Sequence, residues 1–284
     1  MKIYCIFLLV IITQAEVWGQ WTPMVRQSFE SSDKKSEPAA FLATFPKGKG
    51  ASFLIDGGIG LEKELSLNRL YFKAVVEYHR NTLIEKKQNN GQLGGGIEWF
   101  IRPAEKQNNG IVTSDLKYVR DAVADKASVV WAGEITPFSK IFNKPIYRCN
   151  KVLAWVLSPA AGFEYQNTFD APEATKDSLR GNILRGVLKG KVSLSLLDRP
   201  ARVGGIAGPT YLQLYVNTAF RYDVVNTTET PAGWHPYLDT GLIFYPVHKQ
   251  NNKFSLGLSY VNGENPAKGL ARQEYFLFAF RVKI

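Results

Sequence analysis

Cysteine, histidine and methionine are scarce: the 284 residues hold two Cys, three His and two Met. Scarcity of the first two excludes a zinc centre of Cys/His spacing and a disulfide scaffold. The chain also has no apolar run long enough for a transmembrane helix, which takes about 20 residues. Its longest, Ile3–Ile12, follows Lys2 and leads to small residues at Ala15 and Gly19, the pattern of a secretory signal peptide. Residues 1–19 are therefore expected to be removed after Gly19, with Ala15 as a second possible cleavage point. The loss takes one cation and one acid, Lys2 and Glu16, so the net charge of +10 is unchanged. It also takes Cys5 and leaves a single thiol, Cys149, so the exported chain must be held by its backbone ladder and its core. No amphipathic helical period is present, and no metal or cofactor is expected.

What is present is alternation. Residues 20–37 are polar and aperiodic, which predicts a flexible lead-in. From residue 38 to residue 284 segments of alternating apolar residues are separated by Gly, Asn, Asp, Pro and Lys clusters, which reads as one all-β domain. Twelve strands are expected, at about 39–46, 50–61, 69–79, 92–102, 110–121, 128–136, 151–166, 180–196, 209–225, 235–247, 252–262 and 272–284. In the ninth, Leu212, Leu214, Val216, Phe220, Tyr222 and Val224 share one face, opposite Gln213, Tyr215, Asn217, Arg221 and Asp223. Such a pattern fits a soluble sandwich or a membrane barrel. Length favours the barrel, since an oblique bilayer crossing takes about 9–11 residues against about 5–6 in an average soluble strand. A hydrophobic share of 45% with a mean hydropathy of −0.15 agrees, because only alternate residues of a barrel strand meet lipid.

The final segment, Gln273–Ile284, alternates Phe276, Phe278, Phe280, Val282 and Ile284 with Leu277, Ala279, Arg281 and Lys283. This resembles the closing strand of bacterial outer-membrane β-barrels, a family whose last residue is usually Phe, Tyr or Trp where this chain has Ile284. The resemblance implies a closed antiparallel transmembrane β-barrel of about 12 strands in the outer membrane of a Gram-negative envelope. Its partners would be membrane lipid and the insertion machinery that reads the terminal stripe. Closure would bring the last strand against the first, because no sheet edge is tolerated in hydrocarbon. One feature resists: the connections 137–150 and 197–208 fall on the nominal periplasmic side and are long.

Inward positions are read as Lys73, Arg102, Arg185, Lys189, Lys191, Arg221, Lys253, Arg281 and Lys283, with Asp56, Glu77, Glu98, Glu134, Glu164, Asp223 and Asp239. Lys73, Glu77, Glu98, Arg185, Lys189, Lys191, Arg221 and Asp223 are the candidate lumen-lining residues. The cations are either an anion-attracting lining or one half of a ladder of paired charges. Arg185, Lys189 and Lys191 form the densest basic stretch and would mark an anion path. The Gly91–Gly96 run has no following helix, so it is no phosphate cradle; it either bends a strand or lets a large side chain cross.

Catalysis finds little support. Some outer-membrane barrels hydrolyse lipid with a His and a Ser two residues apart, but His79, His235 and His248 are followed two residues on by Asn81, Tyr237 and Gln250. His79 with Glu77 could be an acid–base pair, though a polar pair in a wet interior accounts for both. The chain is therefore expected to be a narrow passive channel for small polar or anionic solutes. The alternatives are a non-conducting barrel that binds or anchors a component of the envelope and, third, a membrane-embedded hydrolase. The scattered cations do not suggest nucleic acid.

Overall fold

A computed structural model describes residues 21–26, 40–44, 52–67, 69–82, 87–102, 109–138, 147–148, 153–197, 210–230, 232–246, 254–266 and 270–282. The expected signal peptide, Cys149, His248, Lys253, Lys283 and Ile284 lie outside these residues.

The described chain is one antiparallel sheet. Its strands are β1 (Trp21–Arg26), β2 (Ala40–Thr44), β3 (Ser52–Ser66), β4 (Leu70–Asn81), β5 (Gln88–Phe100), β6 (Asn109–Asp121) and β7 (Lys126–Phe138). There follow β8 (Tyr147–Arg148), β9 (Leu153–Asp170), β10 (Gly181–Leu197), β11 (Thr210–Asn226), β12 (Trp234–Phe244), β13 (Phe254–Asn265) and β14 (Leu270–Val282). A short helical turn, Glu173–Thr175 running into Lys176–Leu179, joins β9 to β10. No described helix is long and apolar enough to cross a membrane, a statement that does not bear on strands.

All twelve expected strands are present. Two additional strands correct the sequence reading. Trp21–Arg26, inside the stretch expected to be a flexible lead-in, pairs with Lys63–Gly58 of β3. Tyr147–Arg148 pairs with Trp155 and Ala154 of β9. β1 is held by ring contacts as well as by its ladder: Trp21 lies edge-on to Phe72 at 6.1 Å, with the Lys63 ammonium 5.8 Å from its ring centre.

Each strand pairs with its sequence neighbour from β2 to β7 and from β9 to β14, and β7 pairs with β9. β14 in turn pairs with β2, at Phe280↔Phe41 and Arg281↔Ala40. The strands are staggered. From Leu70, the first residue of β4, the register runs through Trp99, Val112, Ile135, Ala161, Leu188 and Phe220 to Pro236, the third residue of β12. A row that starts at one end of β4 thus arrives near the other end of β12, as in strongly tilted strands.

The unbroken run of β5, β6 and β7 fixes the strand count where the alternation is poorest. The connections β7–β9 and β10–β11 therefore leave from the end of the sheet at which β2 begins and β14 ends. At the opposite end the described connections are 122–125 and 171–180, the second carrying the helical turn.

One face of the sheet presents large apolar side chains, and the other buries charged side chains among smaller apolar ones such as Val75, Val119 and Val187. Val76, Leu93, Leu116, Leu188, Phe220 and Leu258 are exposed, Leu188 by 61% and Phe276 by 75%, while Lys73, Glu77, Glu98, Arg185, Arg221 and Asp223 are buried. Water-soluble domains bury Lys, Glu, Arg and Asp only when paired, and rarely expose contiguous apolar surface above a few hundred Å².

Candidate functional site: the charged interior

The interior is built by strand parity. Because side chains alternate across a strand, Lys73, Val75, Glu77 and His79 of β4 all point inward, and Phe72, Val76 and Tyr78 outward. The same rule places Thr113, Asp115, Lys117 and Val119 of β6 inside, and Arg185, Val187 and Lys189 of β10. Register then decides which charges meet.

Lys117 on β6 donates to Glu77 on β4 at 2.5 Å and to Gln92 at 3.3 Å. Lys73 on β4 pairs with Asp115 on β6 at 2.8 Å. Both contacts pass over the intervening β5. Lys117 stands opposite Gly94, while Lys73 and Asp115 both stand opposite Gly96. A β-carbon at Gly94 would lie 2.2 Å from the Leu116 carbonyl oxygen, and one at Gly96 would lie 2.0 Å from Asp115 Oδ1. The glycine run, expected either to bend a strand or to let a large side chain cross, thus lies under two ion pairs.

A second group spans β7 to β13. Lys189 on β10 donates to Glu134 on β7 at 2.6 Å, and Arg221 on β11 to Glu164 on β9 at 2.9 Å. Arg185 donates through Nε to Asp223 at 2.9 Å and through Nη1 to Gln166 at 3.0 Å. Asp223 and Glu264 flank His235, each 3.0 Å from one ring nitrogen. In the first group His79 is held the same way, with Nδ1 against Asp56 and Nε2 3.1 Å from Glu77. Both ring nitrogens of His79 and of His235 therefore face carboxylates.

Of the eight candidate residues, six take part in these pairs. Lys73, Glu77, Arg185, Arg221 and Asp223 are buried and paired, and Lys189 is half-buried and paired. Glu98 is buried and Lys191 half-buried on the same face. In the basic stretch Arg185, Lys189 and Lys191, acids stand against the first two, Asp223 of β11 and Glu134 of β7. Arg102 corrects the inward list: it lies beyond the end of β5, exposed, its backbone closed onto Asn109. Of the terminal stripe, Phe276 and Phe278 are exposed, Phe280 takes part in the pairing to β2, and Val282 is the last residue of β14.

The sequence reading missed Asp115, Lys117, His235 and Glu264. The signal on β6 was present in Thr113, Asp115 and Lys117, but Val119 on their face and Ser114 and Arg120 on the other blurred it.

Between the two groups lies a cavity of about 40 Å³, lined by Glu77, Asp115, Lys117, Glu134, Glu164 and Lys189 among others. It has room for a few water molecules, and Glu164 Oε2, buried and without a hydrogen-bond partner among the described residues, is a site for one. No group of His, Cys, Asp and Glu able to hold a metal occurs among the described residues.

Comparisons with protein-family models, with curated proteins and with solved structures return no match.

Proposed function

We propose that the chain closes into a transmembrane β-barrel of the outer membrane, filled by its own paired charges, and serves the envelope as a non-conducting binding or anchoring component. The pairings β14–β2, β2–β3 and β3–β4 support closure, because they join the two ends of the strand path. Stagger of the register supports it too, since closing a sheet requires tilt.

The outer face supports a lipid environment. Between the rims it presents residues such as Leu93, Leu116, Leu188, Val216 and Phe220. Near the end opposite the start of β2, three tyrosines turn their hydroxyls toward that rim: Tyr78 donates to Asn89, Tyr165 to Asn182 and Tyr260 to Glu274. Rings in lipid with polar tips toward water make the aromatic girdle of a membrane interface. Just beyond, Arg120 pairs with Asp125 and Asp170, as a water-facing rim would.

The observation that carries the non-conducting reading is the set of cross-strand pairs, with Glu77 and Arg221 each 1% exposed. A conducting lining keeps its charges wet and open to passing ions; these are spent on one another. Reconstitution in a planar bilayer with a salt gradient tests it. The expected result is a fully inserted protein with no conductance steps above the bare membrane. Steady steps with a reversal potential would instead support the narrow channel for small polar or anionic solutes.

A further inference from the structure

At the end of the barrel opposite the start of β2, the hairpin β6–β7, the helical turn, the β11–β12 turn and the end of β13 surround a pocket of about 250 Å³. Four charged residues line it: Lys126, Arg185, Asp121 and Glu264. We infer that this pocket binds a small zwitterion of the α-amino-acid class, its carboxylate on Lys126 and Arg185 and its ammonium on Asp121 and Glu264.

The argument is one of unused bonding capacity. Arg185 spends Nε and Nη1 on Asp223 and Gln166, which leaves the Nη2 hydrogens. Lys126 forms no hydrogen bond or ion pair among the described residues, although it stands opposite Asp121 in the ladder. Asp121 uses Oδ1 to accept from the Val123 and Ala124 N–H groups, and Glu264 uses Oε1 on His235. Each acid therefore keeps one oxygen. Arg185 and Asp121 are largely buried, which strengthens their interaction with a charge that enters the pocket.

Complementarity selects the ligand. A simple anion would meet two cations and two repelling acids, and a simple cation the converse. A molecule that carries both charged groups on one carbon satisfies all four. Leu179 and Ile183 on the same wall would take an apolar side chain, and the volume suits one amino acid with accompanying water.

The inference rests on the filled-barrel reading only in needing this end to face water. Calorimetric titration of the refolded full chain in detergent micelles tests it, with L-leucine, leucine amide, which lacks the carboxylate, and 4-methylpentanoate, which lacks the ammonium. Leucine should bind, and each truncated compound should bind about tenfold more weakly or worse, the loss of one charge-assisted hydrogen-bond set. Lys126→Met should weaken leucine and leave leucine amide no weaker, since one repelling cation is gone. Equal binding of all three, or no leucine binding at millimolar concentration by protein that still migrates as a folded barrel before boiling, overturns the inference. That migration reports the barrel and bilayer conductance reports the filled interior, so failure of the pocket is separable from failure of either.

Discussion

Gly94 and Gly96 decide whether the charges of β4 and β6 can meet. Neither glycine adopts a left-handed backbone; what matters is the missing β-carbon, which would collide with main chain at Gly94 and with Asp115 at Gly96. Gly94→Ala is therefore expected to destabilise the fold by about 1–3 kcal/mol, the usual range for overpacking. Gly186→Ala, where the nearest atom would be 3.8 Å away, should be close to neutral. Denaturant unfolding in lipid vesicles, followed by circular dichroism, measures both. The pairs themselves are testable at the same scale. Lys117→Met leaves Glu77 buried beside His79 with its ammonium gone, and breaking such a pair costs about 3–5 kcal/mol. The double variant Lys117→Met/Glu77→Met should lose less than the single one, because no uncompensated carboxylate remains. Equal losses would mean that the pair contributes packing rather than charge balance.

Among the elements, the sequence made the twelve main strands readable because alternation survives in each, and it separated the faces of β4, β10, β11 and β13. It concealed β1 because Trp21–Arg26 is short, contains Pro23 and is bounded by polar residues. It shortened β3 for a related reason: Leu61–Ser66 reads as a charged stretch, yet there β3 gains β1 as a second neighbour. Two residues of β8 are too few for a period to appear. Ion pairing was out of reach for a different reason, since parity gives the face of a residue but not its register against a strand two places away. The outward parity carries its own prediction. Leu188→Arg and Leu116→Arg, at exposed positions of β10 and β6, should cost about 2–4 kcal/mol in a bilayer, whereas Leu67→Arg in the β3–β4 turn should cost little. Vesicle-based unfolding midpoints check this, and equal tolerance at all three sites would mean that the outer face meets water.

For the molecule as a whole, the interior charges among the described residues form cross-strand pairs rather than an excess of positive charge. Reversing Arg185, Lys189 and Lys191 to Glu places new acids beside Asp223 and Glu134. A lower unfolding temperature without acquired cation conductance is the expected outcome. A wild-type anion current converted to a cation current would instead make these residues a selectivity lining. The balance also explains the basic excess: with interior charges paired, most of the +10 belongs to turns and termini. The filled wall and the apolar exterior stand or fall with membrane insertion, and electrophoretic migration of membrane-extracted protein before and after boiling tests that most directly. A closed transmembrane barrel requires detergent for extraction and shifts its mobility on boiling. Recovery of the full chain as a soluble monomer without detergent, with the same mobility before and after boiling, would contradict the account and favour a water-soluble sandwich.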